Sequence, residues 1–431
     1  MTAPQTRTIA PLLVAPDVTV RVPGSKSLTN RALVAAALAD GESRLEGLLL
    51  ADDTWAMIEA LRALGVVIIV EGDTAIVTGC GGRPPASEAR LDVRLSGTTA
   101  RFLAPVVALG SGEFELDGAP AFRARPMGPL LDALEQLGAG IQALGDPGHL
   151  PVRLTVDGWA DRSVQVGGEV SSQFLSGLLL AAPAVGHGVT VEVRSSLVSR
   201  PYVDLTLQVM EAFGAAVEET APGRFAVAPT GYRARTYPVE PDASAATYPL
   251  AAAAITGGRV RVAGLGAEVT QGDAAFAQVL AEMGAEVTID ADGTEVRGPA
   301  RLRGIEVDLG AMSDTAQTLA AVAVFAEQPT RVTGIGFIRA KETDRIAAVV
   351  TELRRCGIEA EEEADGFVVH PGVPHPATIQ TYEDHRMAMS FALLGLRVAG
   401  ITIADPGCVA KTFPGYFDLI EELRSGHRAG G

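Results

Sequence analysis

Met57-Ile-Glu-Ala-Leu-Arg-Ala-Leu-Gly65 is followed directly by Val66-Val-Ile-Ile-Val70, then by Glu71-Gly-Asp73 and by Ala75-Ile-Val-Thr78. Apolar residues three and four positions apart in the first stretch predict an amphipathic helix, and Gly65 is the expected left-handed residue that ends it. The apolar runs on either side of the turn residues predict a β-hairpin. The stretch is therefore predicted to be a surface helix followed by two antiparallel strands.

The same pattern recurs along the whole chain. The glycines that close it are Gly65, Gly138, Gly214, Gly284, Gly357 and Gly426. A second kind of helix alternates with the first and is rich in Ala and Leu nearly all round, so we expect it to be buried. Its six predicted starts, each at a residue able to cap a helix, are Ser27, Gly97, Ser172, Asp242, Asp314 and Asp384. The sequence thus predicts six copies of one α/β unit, the sixth cut off by the chain end.

Three of the six copies precede Tyr237-Pro-Val-Glu-Pro241, which is the predicted crossover between two similar lobes. A second crossover is predicted at Val20-Arg21, so the expected lobes are residues 1–20 with 241–431, and residues 21–240. If the buried helices point the same way, their N-termini offer free N–H groups and partial positive charge. We expect these ends to form an anion site in the cleft between the lobes.

Composition narrows the class of protein. The 431 residues carry a formal net charge of -17, which argues against nucleic acid or an anionic membrane as partner. Three widely spaced cysteines fit a reducing cytoplasm, and Met1–Val20 lacks the apolar core of a secretion signal. No apolar run is long enough for a membrane span, and the histidines show no metal-ligand spacing. We expect a cytoplasmic enzyme without a metal, whose residues His427–Gly431 form a disordered tail.

Lysine is rare in this chain and confined to polar motifs. Of the 35 Lys and Arg residues only Lys26, Lys341 and Lys411 are lysines. Lysine is a compact charge whose pKa can move, whereas arginine stays protonated and presents a planar fork. Three lysines beside Ser, Thr, Asp, Glu and Arg therefore indicate positions where arginine would not serve, although chance in an arginine-rich chain is the alternative for any one of them.

Five motifs carry most of the remaining chemistry. They are Gly24-Ser-Lys-Ser-Leu-Thr-Asn-Arg31, Gly97-Thr-Thr-Ala-Arg101, Arg339-Ala-Lys-Glu-Thr-Asp-Arg345, Asp384-His-Arg-Met-Ala-Met389 and Lys411-Thr-Phe-Pro414. The first combines a glycine loop, hydroxyls and cations but lacks the glycine spacing of a Walker P-loop. The third and fourth place acids beside bases, as general acid–base chemistry requires and as solvated ion pairs also do.

Taken together, in this order and over essentially the whole chain, these motifs closely resemble the 5-enolpyruvylshikimate-3-phosphate (EPSP) synthase family. The resemblance implies an α/β fold of two lobes, each with three βαβαββ repeats, in which mixed sheets sheathe buried parallel helices as an inverse α/β barrel. It implies transfer of the enolpyruvyl group of phosphoenolpyruvate to the 5-hydroxyl of shikimate 3-phosphate with release of phosphate. It further implies two small-molecule substrates, no cofactor and no metal, and we expect a monomer.

The resemblance also assigns residues. Those implied for shikimate 3-phosphate are Lys26, Ser27, Arg31, Ser171, Ser172, Gln173, Ser199, Tyr202, Asp314 and Lys341. Those implied for phosphoenolpyruvate are Lys26, Gly97, Arg125, Gln173, Arg345, Arg386 and Lys411. Asp314 is implied as the base on the 5-hydroxyl and Glu342 as the acid at the methylene carbon, with Lys26 shared between the substrates as a third catalytic group.

Three positions depart from the family pattern: Leu95 and Phe337 stand where many members have Asn, and Phe102 where they have Pro. The contact that the Asn at position 337 makes is expected to be absent or supplied by backbone. Gly97 leaves room for the inhibitor glyphosate, so sensitivity to glyphosate is a hypothesis. Phe102 could shift this loop and so change the sensitivity. The alternatives are a transferase acting on UDP-N-acetylglucosamine, which typically uses a loop cysteine not found here, and a phosphate-binding protein with a decayed site.

Overall fold

The computed structural model describes residues 5–426 and divides the chain into two compact units. The central unit comprises Gly24–Val239. The terminal unit comprises the chain up to Pro23 and from Glu240 onward. The tail predicted at 427–431 lies outside the described residues.

Within the described residues, the helices alternate with strands along both units. The α-helices are α1 (Lys26–Leu38), α2 (Asp52–Ala63), α3 (Gly97–Val107), α4 (Pro120–Arg123), α5 (Gly128–Gln136), α6 (Ser172–Ala181), α7 (Arg200–Ala212), α8 (Ala243–Thr256), α9 (Phe276–Glu282), α10 (Ala316–Ala323), α11 (Arg345–Arg355), α12 (His385–Gly395) and α13 (Tyr416–Ser425). Short 3-10 segments span Ala182–Ala184, Gly272–Ala275, Ser313–Thr315, Gly336–Ala340 and Pro406–Lys411.

The first two described strands belong to the terminal unit, and the strands β3 to β16 that follow them belong to the central unit. They are β1 (Arg7–Thr8), β2 (Asp17–Val20), β3 (Ala39–Asp40), β4 (Glu42–Glu46), β5 (Val67–Glu71), β6 (Thr74–Thr78), β7 (Glu88–Asp92), β8 (Ser111–Asp117), β9 (Gly140–Ala143), β10 (Val152–Asp157), β11 (Ser163–Val166), β12 (Val189–Val193), β13 (Val217–Ala221), β14 (Arg224–Val227), β15 (Tyr232–Arg233) and β16 (Thr236–Pro238). The strands that follow are β17 (Arg259–Ala263), β18 (Glu286–Ile289), β19 (Gly293–Arg297), β20 (Glu306–Asp308), β21 (Thr330–Thr333), β22 (Ala360–Glu363), β23 (Gly366–Val369), β24 (Ala377–Ile379) and β25 (Ile401–Ile403).

One sheet pattern repeats: a parallel pair of strands is extended by an antiparallel hairpin. In the central unit the strand orders are β16-β4-β6-β5, β7-β8-β10-β9 and β11-β12-β14-β13, beside the short pair β15-β3. In the terminal unit they are β2-β17-β19-β18 and β20-β21-β23-β22. The hairpins predicted around Glu71-Gly-Asp73 and Ala291-Asp-Gly293 are confirmed as β5–β6 and β18–β19. The α/β fold class of mixed sheets over buried helices is confirmed.

The sixth sheet is completed from the other end of the chain. β24 runs parallel to β25, and β1 pairs antiparallel with β25 through Arg7 and Thr8. The position that a hairpin strand takes in the other sheets is filled here by a strand from the N-terminal part of the chain. β2 likewise pairs with β17 of the terminal unit, and β16 with β4 of the central unit.

In each unit three buried helices contact one another: α1, α3 and α6 in the central unit, and α8, α10 and α12 in the terminal unit. Asn30 donates to Thr98 near the starts of α1 and α3, and Thr318 lies within hydrogen-bond distance of both Thr247 and Ser390 near the starts of α8, α10 and α12. Because residues near the N-termini meet, the helices within each unit point the same way, as expected.

Four of the six predicted helix caps need correction. The side chains that accept the capping bond at α1, α3 and α6 belong to Ser25, Ser96 and Ser171, each one or two residues earlier than predicted. Ser27, Gly97 and Ser172 lie in the first turn instead. Asp242 and Asp384 are caps as predicted, whereas Asp314 lies in a 3-10 turn and makes ion pairs. The glycines predicted to end the surface helices all have positive φ.

No helix among residues 5–426 combines the length and the apolar character needed to cross a bilayer.

Candidate functional site

The predicted site residues of the central unit lie in the first two turns of α1, α3, α6 and α7 and in the loop before α5. We call them the central cluster: Lys26, Ser27, Arg31, Gly97, Arg125, Ser171, Ser172, Gln173, Ser199 and Tyr202.

Arg31 connects α1 to α7. Its guanidinium is 1 % exposed and donates to Thr206 Oγ1 at 2.8 Å, to the Tyr202 carbonyl at 2.8 Å and to the Ser27 carbonyl at 2.9 Å. The ring of Phe102 lies 5.1 Å from the guanidinium carbon, so the residue that departs from the family pattern supports Arg31. Burial lowers the pKa of Arg31 to about 10, which leaves it charged at neutral pH. Arg31 therefore holds Ser27 and Tyr202 in a fixed relation.

Gln173 and the Arg125 loop are joined through Arg101, a motif residue to which the sequence assigned no role. Arg101 is buried on α3 and donates to Gln173 Oε1 at 2.8 Å and to the Pro126 carbonyl at 3.2 Å. It also stacks over Phe174, with its guanidinium carbon 5.0 Å from the ring centroid. The amide oxygen of Gln173 thus faces Arg101, which fixes the orientation of this side chain.

The Arg125 guanidinium lies close to Gly97. A Cβ atom placed on Gly97 would lie 3.0 Å from Arg125 Nη2 and 3.2 Å from its guanidinium carbon. These distances are shorter than ordinary van der Waals contact, so a Cβ here would require the guanidinium to move by a few tenths of an ångström. Arg125 itself is buried and packs over Phe122 at 5.1 Å. Glycine at position 97 therefore sets where this cation stands.

Lys26 and Ser199 complete the central cluster. Lys26 Nζ lies 3.4 Å from Oδ2 of the buried Asp53, a partner that the sequence did not indicate. Ser199 directly precedes α7 and has a φ of 53°, a left-handed conformation that non-glycine residues seldom adopt. Such strain is found where function holds a residue in place. Ser171 caps α6 by accepting from the Gln173 N–H at 3.3 Å.

The predicted site residues of the terminal unit surround the starts of α10, α11 and α12. We call them the terminal cluster: Asp314, Lys341, Glu342, Arg345, Arg386 and Lys411. Here charged side chains of both signs contact one another directly.

Arg345 is the centre of the terminal cluster. Its side chain is 2 % exposed and donates to Asp384 Oδ2, Glu342 Oε2 and Asp314 Oδ1, at 2.8, 2.8 and 2.9 Å respectively. Burial alone would lower the pKa of Arg345, but the three carboxylates more than offset it and raise the pKa above its ordinary value. Moving any one of these side chains away would leave a buried charge without its partner, which is destabilising. The guanidinium and its three carboxylates are therefore held firmly in place.

Asp314 is held from two sides. Arg386 Nη2 donates to its Oδ2 at 2.7 Å while Arg345 occupies Oδ1. Arg386 is oriented by α12, whose cap Asp384 accepts from the Arg386 N–H at 2.9 Å. One carboxylate therefore bridges two guanidiniums at the start of a buried helix.

The two lysines of this unit differ in exposure. Lys411 is buried at the end of its 3-10 segment, and Lys341 is half-buried, with Nζ 5.9 Å from the centroid of the Phe337 ring. The ring that replaces the family Asn thus contacts Lys341, an arrangement that steadies an ammonium group.

Asp273 and Ser244 belong to the same region and were missed. Asp273 is 4 % exposed, accepts a hydrogen bond from Ser244 Oγ and interacts electrostatically with Asp314 and Arg386. Burial and the charge of Asp314 raise the pKa of Asp273 to about 7. The only sequence signal was a polar Gln271-Gly-Asp triplet before a surface helix, which by itself is typical of a turn.

The two clusters can do different chemistry. The central cluster offers hydroxyls, an amide and cations, which suit a phosphorylated polyol. The terminal cluster holds carboxylates beside guanidiniums, so it can bind an anion and move a proton. Among residues 5–426, no group of three or more His, Cys, Asp or Glu side chains is arranged to hold a metal ion.

Comparison with known proteins gives concordant matches. The family model described as EPSP synthase (3-phosphoshikimate 1-carboxyvinyltransferase) matches residues 16–420. A Nostoc punctiforme protein named 3-phosphoshikimate 1-carboxyvinyltransferase is 48% identical over 410 residues, covering 94% of this chain and 96% of the relative. A Cupriavidus necator protein of the same name is 46% identical over 427 residues, covering 96% and 98%. The solved structure of an EPSP synthase from Acinetobacter baumannii superposes with a TM-score of 0.81 at 28% identity, covering 97% and 98%.

Proposed function

Because this chain belongs to the EPSP synthase family, we propose that it transfers the enolpyruvyl group of phosphoenolpyruvate to the 5-hydroxyl of shikimate 3-phosphate. The family predicted from the motifs is confirmed, and the predicted transferase activity of the shikimate pathway, which supplies aromatic amino acids, is that of this family. The observation that carries the proposal for this chain is the bridging of Asp314 by Arg345 and Arg386.

The reaction requires two proton movements. The 5-hydroxyl oxygen forms a bond to C2 of phosphoenolpyruvate while its proton goes to a base, and C3 takes a proton and becomes a methyl group. The tetrahedral intermediate then breaks the C2–O bond to phosphate, and the methyl group returns a proton as the double bond forms again. Asp314 is the proposed base at the hydroxyl, and Glu342 is the proposed acid at C3, which takes the proton back in the second step.

Arg345 and Arg386 are proposed to regulate when Asp314 acts as a base. Both are proposed ligands of the phosphoenolpyruvate anion, and both hold Asp314 in the structure. A bound anion competes with Asp314 for these N–H donors, so the carboxylate becomes a stronger base when substrate is present. The base is thus restrained until the second substrate arrives. Arg125 and Lys411 are proposed to hold the same anion.

The central cluster is proposed to bind shikimate 3-phosphate. Ser171, Ser172, Ser199 and Gln173 offer hydroxyl and amide donors at helix starts, where N–H groups and partial positive charge favour a phosphate. Lys26 provides an ammonium beside them, and Tyr202 a ring against the sugar-like face. Lys341 and Asp314 are also proposed as ligands of shikimate 3-phosphate.

The finer points of the proposal concern the setting. We propose that the enzyme works in the cytoplasm as a monomer, without cofactor, metal, nucleic acid or membrane. We also propose that glyphosate competes with phosphoenolpyruvate, since Gly97 presents no side chain to the Arg125 guanidinium. An assay of phosphate release with glyphosate at about 1 mM, a concentration well above micromolar dissociation constants, tests this last point. An unchanged rate of phosphate release would reject it.

Phosphate release tests the activity. The purified chain is given phosphoenolpyruvate with shikimate 3-phosphate in one arm and with UDP-N-acetylglucosamine in another. We expect release only in the first arm. Release only in the second would favour the cell-wall transferase, and release in neither would favour a binding protein.

A second experiment assigns the acid. In deuterated water the reversible methyl intermediate brings solvent deuterium into the methylene group, which mass spectrometry detects. Glu342→Gln is expected to abolish both turnover and this exchange. The exposed Glu361→Gln is the matched control on the neighbouring hairpin and is expected to retain both. Persistent deuterium uptake in the Glu342 variant would assign the acid elsewhere.

A further inference from the structure

Arg339 is a motif residue to which the proposed mechanism assigns no role. It lies in the 3-10 segment that precedes α11, and its Nη1 lies 2.8 and 3.0 Å from the two carboxylate oxygens of Asp344. Four residues separate this pair in the chain. Among them are Lys341, a proposed ligand of shikimate 3-phosphate, and Glu342, the proposed acid. The ion pair therefore closes a short loop that carries two residues of the terminal cluster.

The same guanidinium attaches this loop to the β22–β23 hairpin. Its Nη1 also donates to Glu362 Oε1 at 2.8 Å, and its Nη2 donates to the Glu363 carbonyl at 2.7 Å. The turn after β22 holds the chain ahead of the loop, because the carboxylate of Asp365 accepts from the N–H groups of Gly334 and Gly336 at 3.0 and 2.7 Å. One hairpin thus supports the whole segment that leads into the loop.

Asp344 has two roles at the other end of the loop. Besides its ion pair with Arg339, it caps α11 by accepting from the Ala347 N–H at 3.0 Å. Arg345, the first residue of α11, holds Glu342 Oε2 at 2.8 Å. A shift of the loop relative to α11 would therefore move the proposed acid relative to the guanidinium that supports it. Because asparagine caps a helix about as well as aspartate, substitution can separate the two roles of Asp344.

The ion pair between Arg339 and Asp344 is better suited to positioning than to stabilising the fold. The two side chains are 28 % and 41 % exposed, so solvent screens their attraction and the pair adds little to the free energy of unfolding. One planar guanidinium nevertheless holds two carboxylates and a carbonyl in a fixed relation, which an ammonium group does less well. Displacing a reacting group by about 1 Å can cost about 100-fold in rate. A pair that contributes little stability can therefore still decide the rate.

We propose that Arg339 is a positioning residue, which pairs with Asp344 and with the β22–β23 hairpin and so holds the loop between the pair in its working geometry. The inference rests on the proposed function, in which Glu342 is the acid and Lys341 binds shikimate 3-phosphate. The side chains assigned to phosphoenolpyruvate lie outside this loop. Loss of the pair should therefore affect kcat and the binding of shikimate 3-phosphate more than the binding of phosphoenolpyruvate.

Steady-state kinetics of Arg339→Gln, Asp344→Asn and the double variant test the proposal. We expect kcat to fall by roughly 10- to 100-fold in each single variant. We also expect KM for shikimate 3-phosphate to rise, with KM for phosphoenolpyruvate little changed. The double variant should match the single variants, because the effects of two residues that act as one pair are not additive. Arg331→Gln is the matched control and should behave as wild type, since Arg331 pairs with Glu306 and Glu363 on the same sheet.

Proteolysis of the folded proteins measures the loop without requiring turnover. A glutamate-specific protease cleaves after Glu342 when the loop opens, and mass spectrometry identifies the fragment that ends there. We expect this cleavage to be about tenfold faster in Arg339→Gln and in Asp344→Asn than in Arg331→Gln, because the rate follows the population of the open form. The thermal midpoints of all these variants should stay close to that of wild type, since the pair adds little stability.

The two readouts separate this inference from the proposed function. If wild type releases no phosphate but both single variants are cleaved faster after Glu342, the function fails and the role of Arg339 in holding the loop stands. If wild type is active and the variants keep its kcat, or if they are cleaved no faster than the control, the role of Arg339 is overturned. A large drop in thermal midpoint alongside the fall in kcat would make the role structural, and would overturn the proposal as well.

Discussion

Arg345 donates from Nη1 to Asp314 Oδ1 over 2.9 Å, from a guanidinium that is 2 % exposed. The two residues are 31 positions apart, Asp314 in the 3-10 turn before α10 and Arg345 at the start of α11, so the pair exists only because these elements meet in one unit. The same guanidinium also holds Glu342 and Asp384. A proposed base and a proposed acid are therefore fixed by one cation.

Replacing Asp314 with Asn should remove the base and keep the shape of the site. We expect kcat to fall by roughly 10²- to 10⁴-fold, the usual contribution of a positioned general base, with a smaller change in KM for shikimate 3-phosphate. Steady-state phosphate release measures both constants. The variant Asp161→Asn, at an exposed position, is the control. If kcat of Asp314→Asn were within threefold of kcat of Asp161→Asn, Asp314 would have no role as the base.

Replacing Gly97 with Ala should shift the guanidinium of Arg125. The new Cβ would lie 3.0 Å from Arg125 Nη2, so the guanidinium must shift. We expect KM for phosphoenolpyruvate to rise about tenfold, equivalent to roughly 1.4 kcal/mol of binding, with kcat and thermal stability little changed. Gly186→Ala is the control, because a Cβ there meets no atom within 4 Å. Equal KM values in the two variants would contradict the steric argument.

Replacing Arg31 with Lys should cost stability. An ammonium cannot reach Thr206 Oγ1 and the carbonyls of Ser27 and Tyr202 together as the guanidinium does. We expect the free energy of unfolding of the central unit to drop by roughly 2–4 kcal/mol, as when buried charge-assisted hydrogen bonds are lost. Urea unfolding, with the half-exposed Arg44→Lys as reference, measures the difference. An unchanged midpoint would show that Arg31 serves binding alone.

Replacing Asp273 with Asn should change how stability depends on pH. The folded protein raises the pKa of Asp273 to about 7 from its ordinary 3.8, so between these values the folded state binds the proton and the unfolded chain does not. Stability from this group is greatest below about pH 4 and is lost as pH rises toward 7. Asp273→Asn removes that loss.

The expected result is a thermal midpoint for Asp273→Asn that gains on wild type as pH rises and then levels off above about pH 7. Differential scanning calorimetry of both proteins across this range measures the gain. A constant difference at all pH values would show that Asp273 is ionised throughout in the folded protein.

Periodic features of the fold could be predicted from the sequence because each depends on local chemistry. Three features depend only on short stretches of sequence: the glycines that end the surface helices, the hairpins between apolar runs, and the helices that are apolar all round. The described structure has them at the predicted places. The recurrence of these stretches gave the number of copies. The family motifs likewise lie within a few residues of one another.

The pairings between residues far apart in the chain were decided only by the tertiary structure. The antiparallel partner of β25 comes from the N-terminus, Asp53 lies beside Lys26, and Asp273 beside Ser244. Strand pairing and charge pairing depend on distance in space, and a local pattern contains no information about which remote element will fill a vacant sheet position or approach a buried charge. The sequence by itself determined the repeated unit and the kind of chemistry, and packing determined which side chains share a proton or a cation.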